Sequence, residues 1–472
     1  MRTHKRRLLY NTALLTVSSL LMNAVGMSFR AWLSGRIGTA GLGLYQLVLS
    51  VMNLTATFAI SGIRFAATRL VAEELGRAHA QGLRAAMGRC LGYAGLFGFA
   101  AGFVLYALAE PLGFLWIRDA RTVLSLRLAS VSMPCISLSA ALSGYFTASS
   151  RLWKPTLVHL VGQLAGIALT VFFLRQVGAG DLEKSCAAVT LSGAAADLLG
   201  LGLMALLYVT DRRTHYRQQQ SQDGYTGRML RIAVPLALSA YARSALTTLR
   251  QLLVPRGLMA SGWSADGALS GYGVIQGMVL PILFFPACII GALSELIVPE
   301  LTAAQVRGDR EAIVRTTGEL LRAALLFSGA VGLFLFLCAR ALGLALYRSF
   351  EAGCYLRILA PLVPVMYTDM AVDGCLKGLG QQVWSMGINI AEGLLGLLLV
   401  WRLLPLWGLP GYLTVLYATE LFNFALSLRR LRQIMPDRSL RPAAVHAGRR
   451  PGAAGERSAY TAGRSGSKPQ CP

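Results

Sequence analysis

Ionisable side chains stand inside stretches of this chain that are otherwise apolar. Arg243 sits near the middle of the run 230–253 and Glu392 near the middle of 383–403. Asp197 and Glu420 lie at similar depth in 186–209 and 409–428. Asp369 and Asp373 occupy the C-terminal half of 355–378, while Arg30, Arg250, Arg127 and Arg357 stand towards the ends of their runs. Charge in a hydrocarbon environment is costly, so each of these is a functional candidate. A guanidinium at the depth of Arg243 is too far from either surface to snorkel and can grip a phosphate through two parallel hydrogen bonds. Glu392 and Asp369 can balance it, bind a coupling proton or sodium ion, or form a purely structural ion pair. For Arg30, Arg250, Arg127 and Arg357, snorkelling to the interface is an equal alternative.

Other chemistries have no footing. The eight cysteines show neither CxxC nor a metal spacing, and most lie in apolar runs where cysteine acts as a small hydrophobe. The five histidines are scattered, with no HExxH. No GxxxxGK[ST] loop is present, which argues against ATP-driven work and leaves the expected cofactors as none beyond a coupling H+ or Na+.

The elements that hold these groups follow from composition. The chain has 472 residues, of which 55% are hydrophobic and 14% charged, against about 25% charged in soluble domains. So little polar surface implies an all-α integral membrane protein. A crossing helix needs about 20 mostly apolar residues. Twelve candidates qualify: 8–33, 41–63, 88–109, 123–149, 155–175, 186–209, 230–253, 269–293, 317–339, 355–378, 383–403 and 409–428. The first is too long for a signal-peptide core and reads as a retained span. The net charge of +23 does not indicate nucleic acid, because the basic residues are spread between apolar runs and in the tail. Thirty-one of the 45 Lys and Arg fall on one side of this topology and nine on the other. The positive-inside rule then places both termini in the cytoplasm of a multi-pass cell-membrane protein. The segment SGIRFAATRLVAEEL (61–75) falls at that basic face, where Arg64 and Arg69 can meet anionic lipid and Glu73 is spaced to pair with Arg77.

The sequence also repeats itself. At a shift of 230, residues 41–174 fall on 271–404 without a gap. Gly41, Gly43 and Gln46 meet Gly271, Gly273 and Gln276, and LRLASVSMP (126–134) meets LRILAPLVP (356–364). Upstream the shift is 220, pairing Arg30 with Arg250, and an insert at 260–269 accounts for the change. Downstream it is 223, pairing Asp197 with Glu420. Two six-helix lobes related by a parallel internal repeat are therefore expected, with an axis along the membrane normal, as in transporters that bind substrate between halves. The expected boundaries are 1–209 and 230–430 for the lobes, 210–229 for a cytoplasmic linker and 431–472 for a basic tail without fold. Gly98-x-x-x-Gly102, Gly162-x-x-x-Gly166, Gly273-x-x-x-Gly277 and Gly374-x-x-x-Gly378 read as close helix packing.

GLGLYQLVLSV, SGI…A.RLVAEEL, GYGVIQGMVLPILFFP, LAPLVPVMYTDM, KGLGQQ and NIAEGLLGLLLVWRLLPLWGLPGY together are weak singly and specific as a set. Over about residues 5–430 the chain resembles the stage V sporulation protein B and polysaccharide flippase family of the multidrug/oligosaccharidyl-lipid/polysaccharide exporter superfamily. The resemblance implies a flippase for a polyprenyl-diphosphate-linked oligosaccharide or cell-wall (peptidoglycan) precursor, acting by alternating access, with spore cortex formation as a setting. It implies a cationic central cavity, for which Arg30, Arg243 and Arg250 are the substrate-binding positions. Asp197, Asp369, Glu392 and Glu420 remain for ion coupling or lobe contact. Arg64 departs from the family, which places an apolar residue or proline there. The alternative is a cation-coupled multidrug exporter, kept open by Asp369, Asp373 and Glu392. A membrane enzyme would need longer loops than this chain has, and a scaffold without transport is the remaining reading. The partners expected are the lipid-linked glycan and anionic lipids, with no nucleic acid.

Overall fold

The structure is a computed structural model that describes residues 2–76, 80–149, 151–177, 181–213 and 225–435. Arg77, Cys471, the tail from residue 436 and the centre of the expected linker (214–224) lie outside the described residues. Every regular element described is helical: α1 (Arg2–Ile60), α2 (Ile63–Gly76), α3 (Ala80–Pro111), α4 (Val123–Ser130), α5 (Ser132–Ala148), α6 (Trp153–Gln176), α7 (Leu182–Arg213), α8 (Tyr225–Ala260), α9 (Ala265–Gly273), α10 (Leu280–Phe284), α11 (Ala287–Arg307), α12 (Arg310–Tyr347), α13 (Phe350–Leu359), α14 (Val363–Gly378) and α15 (Gln382–Ile434). Short π- and 3-10-helical turns join some of them. Helix is the expected outcome, because apolar segments in lipid must satisfy their backbone groups internally.

Ten of the helical stretches are long and apolar enough to cross a membrane, or eleven if one bent pair is counted as a span. Two of the ten hold two crossings each. At 1.5 Å per residue α1 and α15 would extend about 80–90 Å, against about 30 Å of hydrocarbon. Each is broken by a glycine at positive φ, Gly38 (71°) and Gly408 (58°), a conformation that favours residues without Cβ. In turn α9–α11 form one bent path, the counterpart of the second half of α1 with α2. Twelve crossings result. The expected single span 123–149 is bent by 41° at Val131, because Pro134 removes an amide donor from the helix there. The expected span 269–293 is likewise interrupted at Phe285–Pro286. The flanks of the expected linker, 210–213 and 225–229, continue α7 and α8 as helix.

The repeat holds at the level of single contacts. Arg118 and Arg348, 230 apart, both take positive φ at a helix end. Asp119 and Ser349 then each accept a backbone N–H to start the next helix. A Cβ on Gly102 would lie 2.8 Å from the Ser130 carbonyl, and one on Gly332 3.3 Å from the Ala360 carbonyl. Leu96, Phe103 and Val104 are exposed on α3, as are Leu326, Leu333 and Phe334 on α12, matching apolar belts on the two lobes. Three of the four glycine spacings pack closely, as expected. The fourth does not: added Cβ atoms on Gly162 and Gly166 would meet nothing nearer than 3.9 and 3.4 Å.

Candidate functional site

The lobes meet through their equivalent glycines. A Cβ on Gly43 would fall 2.0 Å from the Leu269 carbonyl, and one on Gly273 2.7 Å from the Gly43 nitrogen, so only glycine allows this approach. Thr39 Oγ1 and Ser270 Oγ share a 2.6 Å hydrogen bond beside them. At the same end Arg121 bridges Asp119 (2.7 Å) and, across the lobes, Asp266 (2.9 Å), and Arg256 donates to the Leu115 carbonyl. Towards the other end α8 alone carries most of the contact with the N-terminal lobe. Thr248 donates to the Ser50 carbonyl at 3.0 Å, Tyr241 to Ser61 Oγ at 2.5 Å, and Arg228 pairs with Glu73 at 3.4 Å. The Ser61–Gly62 break, with φ of 43° and 71°, lets α2 turn under α8: a Cβ on Gly62 would strike the Ala233 carbonyl at 2.6 Å.

The intramembrane cations divide into two sets. Arg127 pairs with Glu110 at 2.6 Å and lies over Tyr106, 5.6 Å from the ring centre. Arg357 lies over Phe336 at 4.8 Å. Both are anchored on their own lobe's rim. Arg243 is exposed on α8 and has no acidic partner among the described residues. It shares a helix face with Arg250, two turns or about 10 Å further along. Arg250 Nη1 pairs with Glu392 Oε1 at 3.2 Å. Arg30, its repeat counterpart, is exposed on α1 without an acidic partner among the described residues. The position that corresponds to Glu392 is Gly162. The acid that neutralises Arg250 is thus missing from the place where it would neutralise Arg30. A cavity of about 270 Å³ runs beside Arg30, walled by Asn23, Gln163, Pro281 and Phe285.

The acids gather in the C-terminal lobe. Asn423 Nδ2 donates to Asp369 Oδ2 at 3.0 Å, and Asp369 is buried. Asp373 takes Lys377 Nζ at 2.5 Å and the Ser385 hydroxyl. Glu420 lies within electrostatic reach of Asp369, Glu392 and Arg250. Four carboxylates therefore stand against two cations. No group of three or more His, Cys, Asp or Glu among the described residues is arranged to hold a metal ion. Asp197 is elsewhere, on the wall of a cavity of about 600 Å³ inside the N-terminal lobe, together with Tyr45, Arg64, Ser139, His159 and Gln163.

Three polar features escaped the sequence reading. Asp211 binds Lys154 (2.8 Å), Arg151 and the Tyr145 hydroxyl (2.9 Å) at one end of the N-terminal lobe. Arg121–Asp266 and Arg228–Glu73 tie the lobes together. Each joins residues 57 to 155 positions apart, and no local spacing announces such pairs. The expected partner of Glu73, Arg77, lies outside the described residues; Glu73 instead meets Arg69 at 3.2 Å and Arg228.

Comparison with known proteins gives a consistent frame. The profile of the polysaccharide biosynthesis protein family matches residues 8–292, more than half of the chain. Stage V sporulation protein B of Bacillus subtilis (strain 168) is 23% identical over 422 residues, covering 86% of this chain and 80% of its own length. Among solved structures, the lipid II flippase MurJ in an inward closed conformation superposes with a TM-score of 0.68 at 12% identity, over 89% of this chain and 87% of that one. An inward-facing multidrug resistance MATE family transporter of the MOP superfamily superposes with a TM-score of 0.64 at 14% identity, over 89% and 98%. At such identities the superpositions establish the fold.

Proposed function

This chain belongs to the polysaccharide biosynthesis protein family, and we propose that it is a flippase moving a polyprenyl-diphosphate-linked oligosaccharide or cell-wall precursor across the cytoplasmic membrane. The observation that carries the reading is the asymmetry of paired arginines: Arg250 is neutralised by Glu392, whereas Arg30, whose repeat has Gly162 in place of that acid, and Arg243 have no acidic partner among the described residues. Guanidinium groups without counter-ions at membrane depth are suited to an anionic ligand, and a diphosphate offers the bidentate geometry they prefer. Arg30 and Arg243 bind the diphosphate; Arg250 holds α8 to α15 through Glu392 and reaches substrate only when that pair opens. Asp369, Glu392 and Glu420 carry the coupling H+ or Na+, and Asp197 acts separately in its own lobe.

Alternating access follows from the contact pattern. The lobes are pinned at the Gly43–Gly273 end, while α2 and α11, at the other end, make no substantial packing contact with each other. Rocking about α8 breaks the Thr39–Ser270 and Arg121–Asp266 bonds and opens the pinned end. The distribution of Lys and Arg supports an orientation with the pinned end outside and both termini in the cytoplasm. The relatedness to stage V sporulation protein B supports a cell-wall glycan, in spore cortex formation, as the cargo. The four-carboxylate cluster favours a second reading, a cation-coupled multidrug exporter.

The test is movement of a fluorescent lipid-linked peptidoglycan precursor in liposomes carrying the purified protein. Arg243→Ala should lower the rate by more than about tenfold, the loss of about 1.4 kcal/mol of transition-state binding, with the protein still folded. Full activity would remove Arg243 from the site. Competition by organic cations, without movement of the lipid, would favour the exporter.

A further inference from the structure

The 600 Å³ cavity of the N-terminal lobe takes no part in holding the diphosphate. It is held between α1, α2, α5, α6 and α7, and all its lining residues belong to the N-terminal lobe. We propose that it is a saccharide subsite, receiving the sugar attached to the diphosphate at Arg30; the inference rests on the flippase reading and deepens it.

Continuity comes first. The cavity beside Arg30 and this one share two wall residues, Met22 and Gln163. Gln163 Nε2 donates to the Met22 carbonyl at 2.9 Å, which fixes the amide at the threshold and leaves its oxygen free to accept from a ligand hydroxyl. A headgroup with its phosphates at Arg30 has this space as the next one inward.

The wall then selects the ligand. Phe29 and Tyr45 give flat apolar faces, while Asp197, Ser139, Ser143 and Gln163 give acceptors and donors. A sugar ring presents the same mixture, a C–H face and an edge of hydroxyls. A lipid tail would leave the polar groups unpaired, which is costly for donors and acceptors removed from water. Arg64 lines the cavity together with Asp197, so a permanent organic cation meets repulsion as well as attraction. The volume falls within the ~300–1,000 Å³ of small-molecule sites, enough for a short saccharide.

Small residues create the space. Gly162, Gly193 and Gly200 line it, and a Cβ on Gly193 would meet nothing within 4 Å. The repeat counterparts of Ser139, Ser143, Gly162, Asp197 and Gly200 are Asp369, Asp373, Glu392, Glu420 and Asn423. Where the C-terminal lobe holds its charge cluster, the N-terminal lobe holds an open chamber. A duplicated position that gives up a carboxylate for serine or glycine exchanges ion binding for room.

Equilibrium binding to the purified full chain in detergent tests this with two probes: a short polyprenyl diphosphate carrying one N-acetylhexosamine, and the same lipid without sugar. Gly193→Leu fills the cavity and replaces a helical glycine with a better helix former, so folding should be kept. It should weaken the sugar-bearing lipid by about tenfold or more and leave the sugar-free lipid within about twofold. Asp197→Asn, which keeps shape, should act in the same direction. Equal binding of the sugar-bearing lipid by wild type and both variants would remove the subsite and leave the flippase reading intact. Failure of the wild type to bind either lipid would end that reading and the subsite with it. An organic cation displaced by Asp197→Asn, with no sugar effect, would also overturn the proposal.

Discussion

In the N-terminal lobe Arg127 lies over Tyr106; in the C-terminal lobe Arg357 lies over Phe336, with both members 230 positions on. Gly102 touches the Ser130 carbonyl as Gly332 touches that of Ala360, and Gly113 fits against Val123 where Gly343 fits against Gly353. The rims and joints of the lobes thus repeat contact by contact. Their interiors do not. One is hollow, with Gly162, Gly193 and Gly200 on its wall and Asp197 as its acid; the other sets Asp369, Asp373, Glu392 and Glu420 against Arg250 and Lys377. Contacts that fix helix positions tolerate little change, because a Cβ at these glycines would collide with backbone or packed side chains. Interior side chains facing polar space are free to differ, and there the two copies have diverged.

The sharpest way to break this comparison is to give the N-terminal lobe the ion pair of the C-terminal one. Gly162→Glu puts a carboxylate where Glu392 stands relative to Arg250, and an added Cβ there meets nothing nearer than 3.9 Å. Arg30 should then be neutralised. Lipid flipping should fall to background while the apparent melting temperature in detergent holds or rises. Unchanged flipping would show that Arg30 does not hold substrate.

A second test compares the two ends where loops are stapled to the last span of each lobe. In the N-terminal lobe the staple is ionic: Asp211, 7% exposed, accepts from Lys154 and Arg151. In the C-terminal lobe Arg430 donates to Gln381 at 2.7 Å and covers Trp384 at 4.4 Å. Asp211→Ala leaves two cations without their acid and should destabilise by roughly 3–5 kcal/mol. Arg430→Ala loses a charge-assisted hydrogen bond and a ring contact, about 1–3 kcal/mol. Thermal unfolding of the two variants side by side gives the order, and a reversed order would mean that the ionic staple is not what holds the N-terminal lobe closed.

Much of the framework was legible in the sequence because its causes are local. Apolar runs define crossings, and a gapless shift of 230 gives the repeat and makes Gly43 and Gly273 equivalents, though that the two face each other is seen only in the fold. The breaks were less legible. Gly38 and Gly408 turn the chain, but nothing in composition separates them from Gly26 or Gly396, which stay helical. The cavity was hidden for a stronger reason: Gly162-x-x-x-Gly166 has the same spacing as Gly98-x-x-x-Gly102, yet one leaves space and the other fills it. Spacing says that a helix can be approached, not that anything approaches it. Arg30 and Arg250 looked alike in sequence, and only the partner across the bundle separated them.

The smallest effect should come from the repeated rim arginines, and its smallness is what makes it informative. Arg127 has Glu110 beside it as well as the Tyr106 ring, but the two ionic groups are 40% and 59% exposed, so the pair adds at most about 1 kcal/mol. Arg357 has the Phe336 ring, and the residue at the position matching Glu110 is Arg340. Arg127→Leu and Arg357→Leu should each cost no more than about 1 kcal/mol, with Arg127→Leu the larger by a few tenths. Neither should change lipid flipping by more than about twofold, because both groups anchor the rim and neither faces the paired-arginine site. Loss of flipping in either variant, with the protein folded, would place substrate contact on the rim. The division between a repeated frame and a divergent interior would then fail at the point where it is drawn most firmly.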